Sequence, residues 1–241
     1  ETTYDPSGTL TRALDRSYDL FNRLWTTTDA YGHVTSHKYN DRDSVADIVD
    51  ARGTVTHQDY DGLGRLRETV LNYVATDPTP SPTQNVKTRY AYDALDRLVQ
   101  VVDPDNLPTD YTYSPLGNVT RLQSPDTGTT TYGYDAAGNR TRQTDARGVQ
   151  VTYAYDALNR LTAMHYPTAS LDVSFFYDEA AATTACTHAS ASPLGRLTRI
   201  VDSTGSTTYC YDDLGRLRLK TQGVDGRIFR VGYSYTKSDR L

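Results

Sequence analysis

Residues 153–161 read "YAYDALNRL": two tyrosines flank an alanine, an aspartate follows, and Asn-Arg-Leu closes the phrase. On its own the phrase fits a strand entering a turn, or a site with one acid and two phenols. Its repetition bears on the choice. The same marker tyrosine falls at Tyr18, Tyr39, Tyr60, Tyr92, Tyr113, Tyr134, Tyr155, Tyr177, Tyr211 and Tyr235. Successive spacings are 21, 21, 32, 21, 21, 21, 22, 34 and 24, so the dominant period is 21 residues. A period of this length is the signature of a stacked repeat, in which each unit is one supersecondary element.

The fourth residue after each marker identifies the turn. Apart from Tyr177, where the insert at 178–192 begins, it is Asn22, Asp43, Gly64, Asp96, Gly117, Gly138, Asn159, Gly215 and Asp239. Only Gly, Asn and Asp occur, the residues that tolerate positive φ. The turn is opened by Asp19, Asp61, Asp93, Asp135, Asp156 and Asp212, whose carboxylates can accept backbone N–H bonds inside it. This pattern predicts a type I turn closed by a left-handed residue, a hairpin loop with a G1 bulge that joins two antiparallel strands. A second turn lies half a period away, in Asp29–Gly32, Asp50–Gly53 and Asp145–Gly148, with Asn85 and Asn106 in the same place. Between turns the side chains alternate: Val149, Val151, Tyr153 and Tyr155 on one face, Gln150, Thr152 and Ala154 on the other. The expected fold is all-β, with repeated antiparallel β-hairpins forming a curved or spiralling strip.

Two stretches break the period. Residues 75–85, "ATDPTPSPTQN", expand a second turn, and Pro78, Pro80 and Pro82 keep that loop out of the sheet. Residues 178–192 expand a first turn before Pro193-Leu-Gly-Arg-Leu resumes. Asp5-Pro-Ser-Gly8 fits either kind of turn. The whole of 1–241 is expected to be one array of about ten units. Beginning at Glu1 and stopping mid-phrase at Leu241, it is expected to be a piece of a longer chain.

Composition agrees. Asp supplies 27 of 30 acids, Arg 21 of 25 bases and Tyr 20 of 25 aromatics. Asp favours turns and Tyr favours strands, while Glu and Lys, the surface helix formers, are scarce. A hydrophobic content of 37% and a mean hydropathy of −0.63 leave little for a deep core. The net charge of −5 and the lack of a basic tract speak against nucleic acid as a partner. No apolar run is long enough to insert in a membrane, and no signal peptide is expected within this stretch.

The phrases "YAYDALDRL" (90–98), "YGYDAAGNR" (132–140), "YAYDALNRL" (153–161), "YCYDDLGRL" (209–217) and "YSYTKSDRL" (233–241) resemble the YD repeat of Rhs proteins, found in Tc toxin shells, wall-associated and polymorphic toxins, and teneurins. The resemblance covers nearly the whole chain. It implies a β-strip that spirals into a hollow shell, enclosing a toxic C-terminal domain or, in teneurins, serving adhesion. It implies as partners the remaining repeats and the toxin domain of a parent chain, secreted or at a bacterial surface. The family's self-cleaving Asp-Pro-x-Gly core is not matched: Asp5-Pro6, Asp77-Pro78 and Asp103-Pro104 lack its context. No catalytic residue, cofactor or metal site is therefore carried over. The alternative function is a module that binds glycans or cell-surface receptors.

Recurrence argues against chemistry at the carboxylates, since a catalytic pair has no reason to return ten times. Asp and Arg recur four apart at Asp19/Arg23, Asp61/Arg65, Asp93/Arg97, Asp156/Arg160 and Asp212/Arg216, which fits pairing across the turn or laddering between repeats. The tyrosines fit a ladder of half-buried rings, or a stacking surface for sugars. His33, His37, His57, His165 and His188 show no metal-ligand spacing with the cysteines. Cys186 and Cys210 are candidates for a disulfide pinning the second insert to the next repeat, worth about 3 kcal/mol on the chain-entropy model. The alternative is a nucleophilic Cys186 beside His188.

Overall fold

A computed structural model describes residues 2–4, 10–77, 79–179, 186 and 193–236. The Asp5–Gly8 stretch, Pro78, His188, Asp239 and most of the insert at 178–192 lie outside the described residues. The chain is all-β and antiparallel, with a single 3₁₀ turn at Ala169–Leu171 among the described residues. It divides into two compact units, 1–112 with 123–126, and 113–122 with 127–241.

The first unit carries β1 (Thr2–Tyr4), β2 (Leu10–Tyr18), β3 (Leu24–Asp29), β4 (Val34–Tyr39), β5 (Val45–Val49), β6 (Val55–Tyr60), β7 (Leu66–Leu71), β8 (Val86–Tyr92), β9 (Leu98–Val102) and most of β10 (Pro108–Tyr113). Each pairs with the next in sequence. The second unit carries most of β11 (Val119–Ser124), then β12 (Gly128–Tyr134), β13 (Arg140–Thr144), β14 (Gln150–Tyr155), β15 (Leu161–His165), β16 (Val173–Tyr177), β17 (Leu197–Asp202), β18 (Gly205–Tyr211), β19 (Leu217–Val224) and β20 (Arg227–Gly232). From β12 onward the same next-neighbour pairing holds.

The two kinds of turn share one geometry. After β14, Asn159 N–H donates to Asp156 O and Asp156 N–H donates to Arg160 O, both at 3.0 Å. Asp156 Oδ1 accepts the N–H groups of Leu158 and Arg160 at 2.9 Å each. At the opposite edge, Gly148 N–H donates to Asp145 O at 3.0 Å, and Asp145 Oδ1 accepts from Arg147 at 3.0 Å and Val149 at 2.9 Å. Asn22, Gly64, Asp96, Gly117, Gly138, Asn159 and Gly215 all have positive φ, between 59° and 86°. Pro104 sits inside such a turn, closed by Asn106 N–H to Asp103 O at 3.1 Å.

A second irregularity, separate from the bulge expected at the turn itself, was not legible in the sequence. In eight first hairpins the register slips at the marker tyrosine. Ala154 faces Ala163 but Tyr155 faces Leu161, leaving Thr162 as an extra residue. The same slip occurs at Tyr18, Tyr39, Tyr60, Tyr92, Tyr134, Tyr177 and Tyr211. Such a bulge bends the strand and raises its twist.

Little is buried. Among the described residues only Val70, Cys186 and Cys210 are buried apolar side chains, and Asn85 and Thr198 buried polar ones. Asn85 is the hub of the first insert. It is 1% exposed, with φ of 53°. Its N–H donates to Asn72 O at 3.1 Å, its Oδ1 accepts Val74 N–H at 2.9 Å, and its Nδ2 donates to the carbonyls of Asp77 and Thr79.

The left-handed requirement is testable at Asn22, whose φ is 60°. Asn22→Ala is expected to cost about 1 kcal/mol, the steric penalty of a Cβ without a local hydrogen-bonding group in this conformation. Asn22→Gly should cost measurably less. Urea midpoints of the two variants check the order.

Candidate functional site

The feature that recurs from hairpin to hairpin is at the first-turn edge. Leu161 lies beyond the ladder between β15 and β16, which holds only Ala163↔Ser174 and Met164↔Val173. Its carbonyl accepts the hydroxyl of Tyr177, at the end of the next hairpin's incoming strand, at 3.0 Å. The same bond joins Tyr39 to Leu24, Tyr60 to Val45, Tyr92 to Leu66, Tyr134 to Val119, Tyr155 to Arg140, Tyr211 to Leu197 and Tyr235 to Leu217, all at 2.7–3.0 Å. Every marker tyrosine in this set therefore stitches its own hairpin to the preceding one. Burial pushes the phenols of Tyr60, Tyr92, Tyr134, Tyr155 and Tyr211 above the usual tyrosine range, which keeps them protonated as donors.

An arginine braces five of these stitches, at Tyr39, Tyr92, Tyr177, Tyr211 and Tyr235. All five Asp/Arg pairs spaced four apart are ion pairs in the structure. Arg160 Nε donates to Asp156 Oδ2 at 2.7 Å while its other arm reaches Asp178 Oδ2 at 2.8 Å, in the next turn. Its guanidinium carbon lies 4.4 Å from the centroid of Tyr177, the ring whose hydroxyl binds Leu161. Arg23 likewise joins Asp19 to Asp43 over Tyr39, and Arg65 joins Asp61 to Asp96 over Tyr92. Arg42 instead holds the carbonyls of Asp61 and Gly62, and Asn139 reaches Asn159 at 2.8 Å.

These contacts set the titration of the turns. The backbone N–H of Arg160, followed by its guanidinium, holds the Asp156 carboxyl below its ordinary 3.8. The N–H groups of Arg65 and Arg216 do the same first for Asp61 and Asp212, and the guanidinium of Arg97 for Asp93. Asn139 lowers Asp135 through its side chain. Acids held ionised by donors on every side are suited to structure rather than to proton transfer.

The remaining candidates are placed as follows. His33 pairs with Asp29, His57 with Asp47 while stacking on Tyr73, and His165 with Asp172. Among the described residues no group of three or more His, Cys, Asp or Glu is arranged to hold a metal ion. Cys186 and Cys210 are joined by a disulfide, with Cα atoms 5.7 Å apart, so the second insert is tied to β18. No described helix is long and apolar enough to cross a membrane.

The RHS Repeat family matches residues 82–108, 92–129, 113–150, 134–170 and 192–228, together more than half of the chain. The chain belongs to this family. No curated protein matches it at a significant level by sequence. Solved structures with the same fold include the crystal structure of TcdB2-TccC3, at 16% identity and a TM-score of 0.57, covering 96% of this chain. A Photorhabdus luminescens Tc holotoxin pore with a substituted TccC3 gives 17% identity, TM-score 0.57 and 96% coverage. This chain spans about 15% of the length of each. At these identities the likeness establishes the fold, and the RHS repeats with it indicate a structural scaffold.

Two outcomes follow from the turn edge. Tyr155→Phe keeps the ring and leaves the Arg140 carbonyl without its donor, and should lower stability by about 1 kcal/mol in thermal or urea unfolding. The depressed carboxyls predict the acid limb. Their stabilisation is complete above the unfolded value of 3.8 and is lost as pH falls through their lower folded values, because the unfolded chain then binds more protons. Unfolding midpoints should therefore be level from neutral pH down to the carboxylate range and fall steeply below it.

Proposed function

We propose that this chain is a wall segment of an Rhs-type shell, and that the wall surrounds a toxic domain within a larger secreted toxin. The observation that carries the proposal is the tyrosine stitch. It repeats with one geometry at eight marker tyrosines between Tyr39 and Tyr235, tying each of those hairpins to the one before, so the array can be extended unit by unit. The fold shared with chains of the TcdB2-TccC3 structure supports the same reading. The work of the segment is geometric: turns fix register, bulges bend each hairpin alike, and the stitch passes that bend along. We assign it no chemistry of its own.

A carbohydrate- or receptor-binding role would need free tyrosine rings. Here Tyr39, Tyr92, Tyr177, Tyr211 and Tyr235 each carry a guanidinium over the ring and a carbonyl on the hydroxyl, which favours the scaffold.

The test is limited proteolysis of the complete natural polypeptide, compared with its downstream domain expressed alone. The domain should be cut rapidly when alone and resist within the parent protein. Equal rates in the two settings would remove the enclosing role.

A further inference from the structure

The insert at 75–85 supplies nothing to the tyrosine stitch, yet it is firmly built. Asn85 holds its base from within, as described above. Nearer its tip, Ser81 Oγ accepts the N–H groups of Gln84 at 3.0 Å and Thr83 at 3.4 Å. Ser81 N–H donates to Gln84 O at 2.8 Å, and Gln84 Nε2 donates to Asp77 O at 3.3 Å. The insert stands beside the turn closed by Asp103 and Asn106, and a cleft of about 580 Å³ opens between them within the first unit. That volume lies in the range of small-ligand sites, roughly 300–1,000 Å³.

The walls of the cleft are apolar and stiff. Pro80 and Pro82 line it from the insert, Val86 from the start of β8 and Pro104 from the turn. A proline ring has a fixed φ and no N–H to conceal, so such a wall is ordered before anything packs on it. Charge enters at two places. Lys87 Nζ and Arg89 Nε share the single carboxylate of Glu68, at 3.2 and 3.1 Å, so the two cations keep one positive charge in excess. Arg89 Nη1 also reaches Asn106 Oδ1 at 3.3 Å, and the other N–H groups of both side chains meet no acceptor among the described residues. Asp105, in the turn, also lines the cleft. It is exposed, and among the described residues its carboxylate has no partner.

We propose that this cleft binds a free α-amino acid with an aromatic side chain. The spare donors of Lys87 and Arg89 take its carboxylate, Asp105 takes its ammonium, and its ring packs on the prolines. The charges narrow the ligand to this class. A plain anion would meet Asp105, and a plain cation would meet Lys87 and Arg89. A neutral sugar would leave both charged places without a partner and set its hydroxyls on proline rings. A peptide end carries only one of the two charges. A zwitterion satisfies the cations and the carboxylate together, through charge-assisted hydrogen bonds. An aromatic ring brings a large contact area to the apolar walls at little conformational cost. The site does not depend on whether the array encloses a cargo.

Ligand-observed NMR titration of the whole chain with L-phenylalanine tests this. The comparison ligands are phenylpropionate, which keeps only the carboxylate, phenethylamine, which keeps only the ammonium, and glucose. L-phenylalanine should bind, and each of the others at least about tenfold more weakly. Asp105→Asn, a change at an exposed turn position, should weaken L-phenylalanine at least about tenfold and strengthen phenylpropionate. Lys87→Gln should weaken both. Asp41→Asn, the like change in an exposed turn away from the cleft, should leave all four unchanged, and every variant should keep the wild-type strand signal in circular dichroism. No binding of L-phenylalanine at millimolar concentration, phenylpropionate bound as tightly as L-phenylalanine, or binding that neither Asp105→Asn nor Lys87→Gln weakens would overturn the proposal.

Discussion

The hydroxyl of the marker tyrosine on a carbonyl of the preceding hairpin is the contact on which the rest of the structure depends. A sheet with so few buried apolar side chains cannot be held by a core. Its hairpins must hold one another, neighbour by neighbour. Leu161 still faces Tyr155 within its own hairpin but lies beyond the ladder to the next one, and the phenol of that following hairpin takes up its carbonyl. A phenylalanine in that place would fill the same space and leave the carbonyl without its donor.

The odd composition follows from the same edge. Aspartate is short enough for one oxygen to accept two N–H groups of its own turn while the other oxygen faces an arginine. Glutamate, longer by one methylene, would carry its carboxylate past those donors. Arginine offers a planar fork, so one arm can bind its own turn and another the next, with the plane lying over a tyrosine ring. Lysine has a single charged point and cannot serve the three roles at once. The recurring Asp/Arg pairs at the first turns are what a sheet with so few buried apolar side chains requires at that edge.

Some of this was open to inspection in the linear chain. Asn22, Gly64, Asp96 and Asn159 announce left-handed turns because few residues tolerate positive φ, and the backbone has it at each. The Asp/Arg spacing of four announced pairing, since a tight turn brings those positions together. Other features left no such mark. Thr162 carries nothing in its identity that makes it the extra residue of a bulge, because the slip is relative to a partner strand. Asn85 reads as one more turn residue, yet it is the buried hub of an insert whose carbonyls come from Asp77 and Thr79. Gly205 looks ordinary until the partner strand is in place: a Cβ there would lie 2.0 Å from the Gly223 carbonyl oxygen.

By itself, then, the sequence determined the period, the turn chemistry and the antiparallel hairpin, because these depend on local φ preference and on contacts within a few residues. Only the tertiary structure decided what the tyrosines are for and which turns each arginine joins. Those facts belong to pairs of hairpins about twenty residues or more apart, and a repeat written identically in each unit cannot say by itself which groups of two neighbouring units will meet.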